Sequence, residues 1–508
     1  MMTPEAALAL YRKGSGAVVR VLVDQSTMVE TLQQRAENLQ QRAENLQRRA
    51  ENLQRQVEAL KRQVAVLSKN STNSSKRPSS DDLTKPRPRR RGKSKRKLGA
   101  QPGHPLHERT PFAPDEIDAF HDYHPERCPD CGDPLVPSAW APNILQQVEL
   151  PPIVVTKTEH RAHAGWCERC GRIHYAAFPP AVEKAGLFQE RLTALVAYMK
   201  HAHHASFSTI RKFLRDVLSL SVSRGFLCKL IQKVSGALRQ PYEELLARLP
   251  LEDVVNVDET GHKENGQRFW TWVFRADLYI LFKIDASRGS QVLIEVLGQQ
   301  FAGVIGCDYF SAYRKYMKDF NVAVQFCLAH LIRDVKFLVS LPDAATQAYG
   351  ERLLAALRRL FQVIHQRETM AASRFDRALE TARRRILRIG IEQAPSELDR
   401  TGREQKTEAR NMAERFRKHG AAFFRFITTP GLDPTNNAAE QALRFVIIDR
   451  VVTQGTRSPR GRTACERFWT VLATCQLQGR SAFEFILEAV RASFHHRPAP
   501  SLVPVPPP

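Results

Sequence analysis

The sequence lacks any run of about 20 apolar residues, the length that a helix needs to cross a bilayer. Its first residues also lack the basic, apolar and cleavage regions of a signal peptide. Acidic residues are few beside basic ones, 53 against 76, which leaves a net charge of +23 and an isoelectric point near 9.9. We therefore expect a cytoplasmic protein with no membrane partner, and nucleic acid as the first candidate partner.

Cysteine is also scarce, because nine residues in 508 are too few for a disulfide scaffold. Four of the nine form two CxxC pairs: Cys128, Cys131, Cys167 and Cys170. Four thiolates in this pattern favour a closed, tetrahedral site for a structural Zn²⁺ ion, with strands expected between the pairs at residues 146–160. The alternatives are a redox pair, or a site in which one cysteine is replaced by His160, His163 or His174.

A heptad repeat occupies residues 27–68, with leucine at every seventh position: Leu32, Leu39, Leu46, Leu53, Leu60 and Leu67. Alanine or valine follows four residues after each of the first five leucines. A seam of period 3.5 predicts a zipper-like coiled coil, and hence a homo-oligomer. A single solvated helix is the alternative, since three of the positions between leucines hold only alanine.

Residues 69–112 are rich in Ser, Asn, Pro and basic side chains, a composition that predicts disorder in the free protein. Their cations can neutralise DNA phosphates without reading bases. The candidates are Arg89, Arg90, Arg91, Lys95, Arg96 and Lys97. A solvated basic linker fits the same composition.

Two apolar helical faces, separated by the segment LSLSVS, occur within residues 185–249. Two helices joined by a short turn are typical of a helix-turn-helix, with Ser223 as the cap of the second helix. Arg224, Lys229 and Lys233 lie off the apolar face and are candidate DNA contacts. A plain helical packing unit is the alternative.

Two carboxylates follow short apolar runs, Asp258 in VVNVDET and Asp308 in FAGVIGCD. A third, Glu440, lies in the helix-like stretch NNAAEQALR, whose asparagines are expected to cap the helix and whose Arg444 lies four residues further on. Carboxylates at strand ends, joined by one from a helix, can converge on the hard divalent cations that prefer oxygen ligands. Each aspartate taken alone is more typical of a strand that ends at the surface.

The segment VAVQFCLAH is expected to be a strand that ends at His330, with Arg333 close by. These two residues are candidates for contacting DNA or supporting the acidic site. A structural histidine is the alternative for His330.

VDET, CDYFSAY, CLAH and NNAAEQALR, in that order, resemble the insertion sequence 66 family of bacterial transposases. The resemblance implies a ribonuclease-H-like core in which Asp258, Asp308 and Glu440 form a DDE triad that holds two Mg²⁺ (or Mn²⁺) ions. It also implies cleavage and transfer of DNA strands, with the terminal inverted repeats of the element and the target DNA as partners. Accessory proteins encoded by the same element are further candidate partners. Two positions depart from the family pattern: Tyr309, where glycine is common, and Val451, where lysine is usual.

The expected fold class is a multidomain α/β protein: a ribonuclease-H-like core with a helical insertion, an N-terminal coiled coil, a zinc ribbon and a helix-turn-helix. The expected segments are 1–26 (N-terminal segment), 27–68 (coiled coil), 69–112 (basic linker), 113–180 (zinc ribbon), 185–249 (helix-turn-helix), 250–340 (first part of the core), 341–424 (helical insertion), 425–455 (second part of the core) and 456–508 (C-terminal helices and Pro-rich tail). Two other functions remain open: a DNA-binding regulator that has lost transposition, and a metal-dependent nuclease without joining activity.

Overall fold

The computed structural model describes residues 3–12, 14–67, 110–392 and 407–504. The chain divides into two compact units. The first contains the described residues of 1–81, 184–204 and 228–508, and the second contains those of 82–183 and 205–227. Within the described ranges, none of the helices combines the length and the apolar character that a membrane span requires.

Helix α1 (Pro4–Tyr11) and the long helix α2 (Ser15–Leu67) open the chain. The Leu, Ala, Gln, Glu and Arg residues of the heptads are strong helix formers, and they extend α2 over 53 residues, about 80 Å. The helix predicted for 27–68 is therefore present over its described residues, 27–67, and the coiled coil stays a prediction. Its leucine stripe is open to solvent in the single chain, with Leu32 53% and Leu53 61% exposed.

The cysteine-rich segment contains one short hairpin, β1 (Ala164–Cys167) and β2 (Arg172–Tyr175), paired antiparallel with Cys167 opposite Arg172. The strands predicted at 146–160 are wrong, because this segment has no regular structure. Pro151 and Pro152 explain the difference, since a proline has no N–H to donate to a strand partner.

Five helices follow: α3 (Pro180–Ala185), α4 (Glu190–His201), α5 (Phe207–Leu218), α6 (Arg224–Ala237) and α7 (Arg239–Arg248). The predicted helices of this region are confirmed. Ser223 caps α6, since its Oγ accepts the Phe226 N–H at 3.0 Å. The helix-turn-helix itself stays a prediction.

A five-stranded mixed sheet has the order β5–β4–β3–β6–β7. Its strands are β3 (Val254–Glu264), β4 (Gln267–Arg275), β5 (Ile280–Asp285), β6 (Val304–Cys307) and β7 (Ala323–Phe326). The pairs β3/β4 and β4/β5 are antiparallel, whereas β3/β6 and β6/β7 are parallel. Helix α8 (Gln291–Leu297) precedes β6, and α9 (Ser311–Phe320) connects β6 to β7. The molecule is therefore a mixed α/β protein, as predicted.

The remaining helices are α10 (Leu328–Val339), α11 (Ala344–Ile364), α12 (Ala372–Ile391), α13 (Glu408–His419), α14 (Asn437–Thr453), α15 (Pro459–Leu477) and α16 (Ala482–Phe494). The helical character predicted for 341–424 and for the C-terminal region is confirmed in the described residues. One core cluster joins the sheet to α14 and α15 through Val273, Phe282, Leu443 and Trp469, all buried. This packing lays α14 against β3 and β4.

Helix α15 also covers the edge strand β5. Three side chains at successive turns, Glu466, Thr470 and Thr474, accept the N–H groups of Ile284, Phe282 and Ile280 at 2.7, 3.0 and 3.1 Å. An exposed strand edge invites pairing with another chain, so this cover protects the sheet.

Candidate active site

Asp258 and Asp308 lie level with each other on neighbouring parallel strands. Asn256 of β3 is paired with Gly306 of β6, and each aspartate is two residues further along its strand direction. Adjacent strands are about 4.8 Å apart, so the sheet brings the two half-buried carboxylates to the same edge. The sheet thus brings two of the three predicted acids side by side, and their role as metal ligands stays a prediction.

The pKa of Cys307, the residue before Asp308, is raised by burial and by the negative charge of the carboxylates around it. Burial raises the pKa of its thiol well above the ordinary value, and the carboxylates of Asp308, Glu259 and Asp258 raise it further. Each aspartate also accepts a local N–H, Asp258 from Glu259 at 2.8 Å and Asp308 from Phe310 at 2.9 Å. Asp308 directly follows the end of β6, whereas Asp258 lies within β3 opposite Val273 of β4, so its prediction as a strand-end residue is wrong.

Glu440 occupies the first turn of α14, where its N–H donates to the Asn436 carbonyl at 3.2 Å. Its Oε1 accepts from Arg333 Nη2 at 3.4 Å and lies 3.6 Å from His330 Nδ1. Both partners belong to α10, so the two residues predicted to support the site do contact the third acid. The arrangement places a cation, Arg333, beside the carboxylate that the family resemblance assigns to metal.

His330 does not end a strand, so that prediction is wrong. Strand β7 ends at Phe326, and Cys327 is the N-terminal cap of α10. The helix begins here because the buried Leu328, Leu331 and Val335 repeat at helical spacing. His330 is consequently in the first turn of a helix, three residues after Cys327.

Cys327, His330 and Glu440 have ligand atoms within 4.8 Å of one another. In the described part of the chain this is the one group of three or more such residues at that separation, so Asp258, Asp308 and Glu440 do not form a single tight cluster. Mg²⁺ prefers oxygen ligands, which the three acids offer and the cysteine and histidine do not. The chemistry of the acidic donor set thus fits Mg²⁺ or Mn²⁺, with Arg333 competing for Glu440.

Glu259, the neighbour of Asp258, lies on the opposite face of the sheet and is buried. Its Oε1 accepts from Arg288 Nε at 3.0 Å and its Oε2 from the Tyr313 hydroxyl at 2.5 Å. The Arg288 guanidinium also stacks on the rings of Trp270 and Phe310, at 4.5 and 4.0 Å. Glu259 is therefore a structural acid.

Tyr309, one of the two departures from the family pattern, packs into an aromatic cluster with Phe326, Phe423 and His419. The guanidinium groups of Arg314 and Arg415 lie 4.6 and 4.2 Å from its ring centroid. Burial raises the pKa of the Tyr309 hydroxyl. The tyrosine thus joins the segment after Asp308 to the end of the helical insertion. The other departure, Val451, is 66% exposed and has no comparable contact among the described residues.

Asn436 occupies the N-cap position of α14, as predicted, but the predicted side-chain capping is wrong, because its side chain makes no cap hydrogen bond. Its amide reaches β3 instead, donating to the Val257 carbonyl at 2.8 Å. Arg450, at the other end of α14, donates to Thr260 Oγ1 and to the Gly261 carbonyl. A helix start needs only one capping residue, and this one has two adjacent asparagines. The second asparagine was the sequence signal that one of them has a different partner.

The sequence model described as "Transposase IS66 family" matches residues 185–464, more than half of the chain. The chain belongs to the IS66 family of transposases. The resemblance noted in the motifs is thereby confirmed, and the matched span includes Asp258, Asp308 and Glu440.

Two further similarities extend the comparison beyond this span. Residues 24–110 match a family of unknown function, DUF6444. "Uncharacterized protein y4qI" from Sinorhizobium fredii is 24% identical over 364 residues, which cover 66% of this chain and 65% of that protein. The chain thus matches just under two thirds of the length of this curated relative.

The predicted DNA-contact residues of this IS66-family protein fall into different settings. Arg224 is exposed and donates to Ser208 Oγ at 2.7 Å, and Lys229 and Arg444 are exposed. Lys233 is half-buried: its ammonium donates to the carbonyls of Lys184 and Ala185 at 2.7 and 3.1 Å, and burial lowers its pKa. The candidates of the basic arm lie outside the described residues: Arg89, Arg90, Arg91, Lys95, Arg96 and Lys97.

Both CxxC pairs form the same kind of turn. The N–H of Gly132 donates to the Cys128 carbonyl at 2.9 Å, and Gly171 donates to Cys167 at the same distance. Both glycines have positive φ, +81° and +61°, which favours glycine at these positions. Backbone N–H groups of Cys131 and Cys170 lower the pKa of the Cys128 and Cys167 thiols, respectively.

In each pair the pKa of the leading thiol is lowered, which favours the thiolate form that binds metal, whereas the Cys167 side chain raises the pKa of the Cys170 thiol. The Sγ atoms of Cys167 and Cys170 are 3.3 Å apart. Among the described residues, the four cysteines do not meet in one ligand group.

Proposed function

We propose that this member of the IS66 family is a DNA transposase that binds the terminal inverted repeats of its element, cleaves DNA strands and transfers them to target DNA. One observation carries the proposal: Asp258 and Asp308 lie level on neighbouring parallel strands, and the helix that bears Glu440 is hydrogen-bonded to the first of these strands. A ribonuclease-H-like core, proposed for the mixed sheet, is supported by this same placement.

Asp258, Asp308 and Glu440 would hold two Mg²⁺ or Mn²⁺ ions, which stabilise the attacking and leaving oxygens of a phosphoryl displacement. Arg333 keeps the Glu440 carboxylate oriented toward α10, and its positive charge also favours an approaching phosphate. Arg444, one turn beyond Glu440 and exposed, is a second candidate for holding DNA phosphates.

DNA as the partner is supported by the net charge of +23 and by the exposed cations Arg224 and Lys229 of the proposed helix-turn-helix. The partly buried Lys233 is a weaker candidate, because its ammonium is already bound to two carbonyls. The basic arm would add contacts to phosphates without sequence preference.

Self-association is proposed through α2. Its leucine stripe is exposed along the whole helix, and a second copy of the same helix would bury it in a coiled coil.

For the cysteine-rich segment we propose one structural Zn²⁺ bound by both CxxC pairs, supported by the matched turns and by the lowered pKa of the leading thiol in each pair.

The test is a joining assay. Wild-type protein, Asp258→Asn and Asp277→Asn are incubated with labelled candidate element ends, a target plasmid and Mg²⁺. Asp277 is an exposed acid in the turn between β4 and β5, so its variant controls for the loss of one negative charge. We expect joined products with the wild type and Asp277→Asn, and none with Asp258→Asn.

Other results would point to the two alternative functions. Cleavage without joined products would favour a nuclease. Tight DNA binding with neither cleavage nor joining, in every metal tested and with the accessory proteins of the element present, would favour a regulator and overturn the proposal.

A further inference from the structure

Asn436 makes contacts that a helix cap does not need. It is 1% exposed, and its side-chain amide donates to the Val257 carbonyl at 2.8 Å while accepting from Asn256 Nδ2 at 2.9 Å. Its backbone N–H donates to Cys327 Sγ at 3.2 Å. One residue therefore connects the start of α14 with β3 and with the turn that begins α10.

Asn256 can reach Asn436 only because residue 306 is glycine. The two are paired across β3 and β6, and a Cβ on Gly306 would lie 2.4 Å from Asn256 Nδ2 and 3.2 Å from its Cγ. Its φ is not in the left-handed region, so the glycine is required by the neighbouring side chain and not by its own backbone. An alanine here would displace the Asn256 amide.

Each of these three residues lies just before one of the proposed metal ligands. Asn256 and Gly306 precede Asp258 and Asp308 by two residues, and residues two apart on a strand share a face. Asn436 precedes Glu440 by four residues, about one helical turn, and accepts its N–H. The contacts thus join the three elements that carry the acids, close in sequence to each of them.

We propose that Asn256, Gly306 and Asn436, here called the asparagine relay, position Asp258, Asp308 and Glu440 relative to one another and thereby set the affinity of the site for divalent metal. This inference rests on the proposed function. The three are positioning residues, since the acids and not the relay would touch the ion. Residues that orient metal ligands change metal affinity by roughly 10- to 100-fold when they are replaced.

The test measures Mn²⁺ binding to the full-length, zinc-loaded protein by electron paramagnetic resonance of the free ion, together with the Mg²⁺ concentration that gives half-maximal joining. The variants are Asn436→Ala, Gly306→Ala and Asn256→Ala. Asn437→Ala is the matched control, because this neighbouring asparagine is exposed. We expect the relay variants to weaken Mn²⁺ binding roughly 10-fold or more, with metal-free DNA binding unchanged, and Asn437→Ala to behave as the wild type.

A double variant tests the geometry. Gly306→Ala should cost much less in an Asn256→Ala background, because the side chain that its methyl group would strike is then absent. Equal losses in both backgrounds would overturn the role of Gly306.

Two results separate failure of the relay from failure of the proposed function. If the wild type binds Mn²⁺ in an Asp258-dependent manner and Asn436→Ala binds it equally well, the relay is overturned and the proposed function stands. A lower melting temperature of Asn436→Ala with unchanged Mn²⁺ affinity has the same meaning, since it would show a purely structural role. If the wild type shows no Asp258-dependent Mn²⁺ binding, both proposals fall.

Discussion

Two adjacent acids of β3, Asp258 and Glu259, offer a direct test of the proposed site, because they lie on opposite faces of the sheet and we propose a metal-binding role for Asp258 alone. Replacing Glu259 with glutamine keeps the shape of the side chain and removes its charge. The Glu259 side chain is fully buried, and it accepts from Arg288 Nε at 3.0 Å and from the Tyr313 hydroxyl at 2.5 Å. We expect Glu259→Gln to destabilise the protein.

The expected loss follows from these contacts. A hydrogen bond to a charged group contributes about 1.5–3 kcal/mol. Removing one partner of a fully buried ion pair costs about 3–5 kcal/mol, but the Arg288 side chain is 31% exposed and can be partly rehydrated. We therefore expect a loss of about 2–3 kcal/mol in the free energy of unfolding, which lowers the melting temperature by roughly 4–6 °C for an unfolding unit of about 250 residues.

Thermal unfolding followed by circular dichroism measures this loss, with Asp258→Asn as the comparison. Asp258 is half-buried beside other acids, so losing its charge should leave the melting temperature unchanged or slightly raised while joining activity disappears. If Glu259→Gln melts with the wild type, the buried pair does not stabilise the sheet. If Asp258→Asn melts as low as Glu259→Gln is predicted to, Asp258 is a structural acid and the site is assigned wrongly.

Three further predictions concern other parts of the chain. Burial raises the pKa of Glu466 to about 7 from an ordinary value of 4.5, so the folded protein holds this proton between pH 4.5 and 7 while the unfolded chain releases it. The stability that this group contributes is therefore lost as pH rises through that window. The free energy of unfolding of Glu466→Gln should rise relative to that of the wild type by at most about 3 kcal/mol between pH 4.5 and 7, and the difference should stay constant above pH 7. Thermal melts recorded across this pH range measure this difference. Leu53→Glu should reduce the oligomer measured by light scattering, whereas Gln54→Glu, exposed on the same helix, should not. Cys167→Ser should lower the bound zinc measured by elemental analysis, whereas Cys228→Ser, which changes an exposed cysteine outside both pairs, should leave it unchanged.

Some features of this protein were readable from the sequence because they depend on neighbouring residues. The heptads predicted α2 because helix propensity and a period of 3.5 are local properties. The apolar runs before Asp258 and Asp308 predicted β3 and β6 for the same reason, and the order of the motifs pointed to the IS66 family. The apolar residues of CLAHLIRDV also repeat at helical spacing. They follow directly on the strand-like run VAVQF, so the sequence pattern extended the strand to His330 although the helix begins at Leu328.

Other features depend on contacts between residues far apart in the chain. Which of Asp258 and Glu259 faces the interior could not be decided locally, because adjacent strand residues point to opposite faces and only the packing of Arg288 and Tyr313 buries one of them. Asn436 has the residue type of a cap, yet its amide bonds with Asn256, 180 residues away. The sequence determined the local elements and their acids, whereas the tertiary structure decided which side chains are buried and which partners they find, since those partners are selected by packing across the whole sheet.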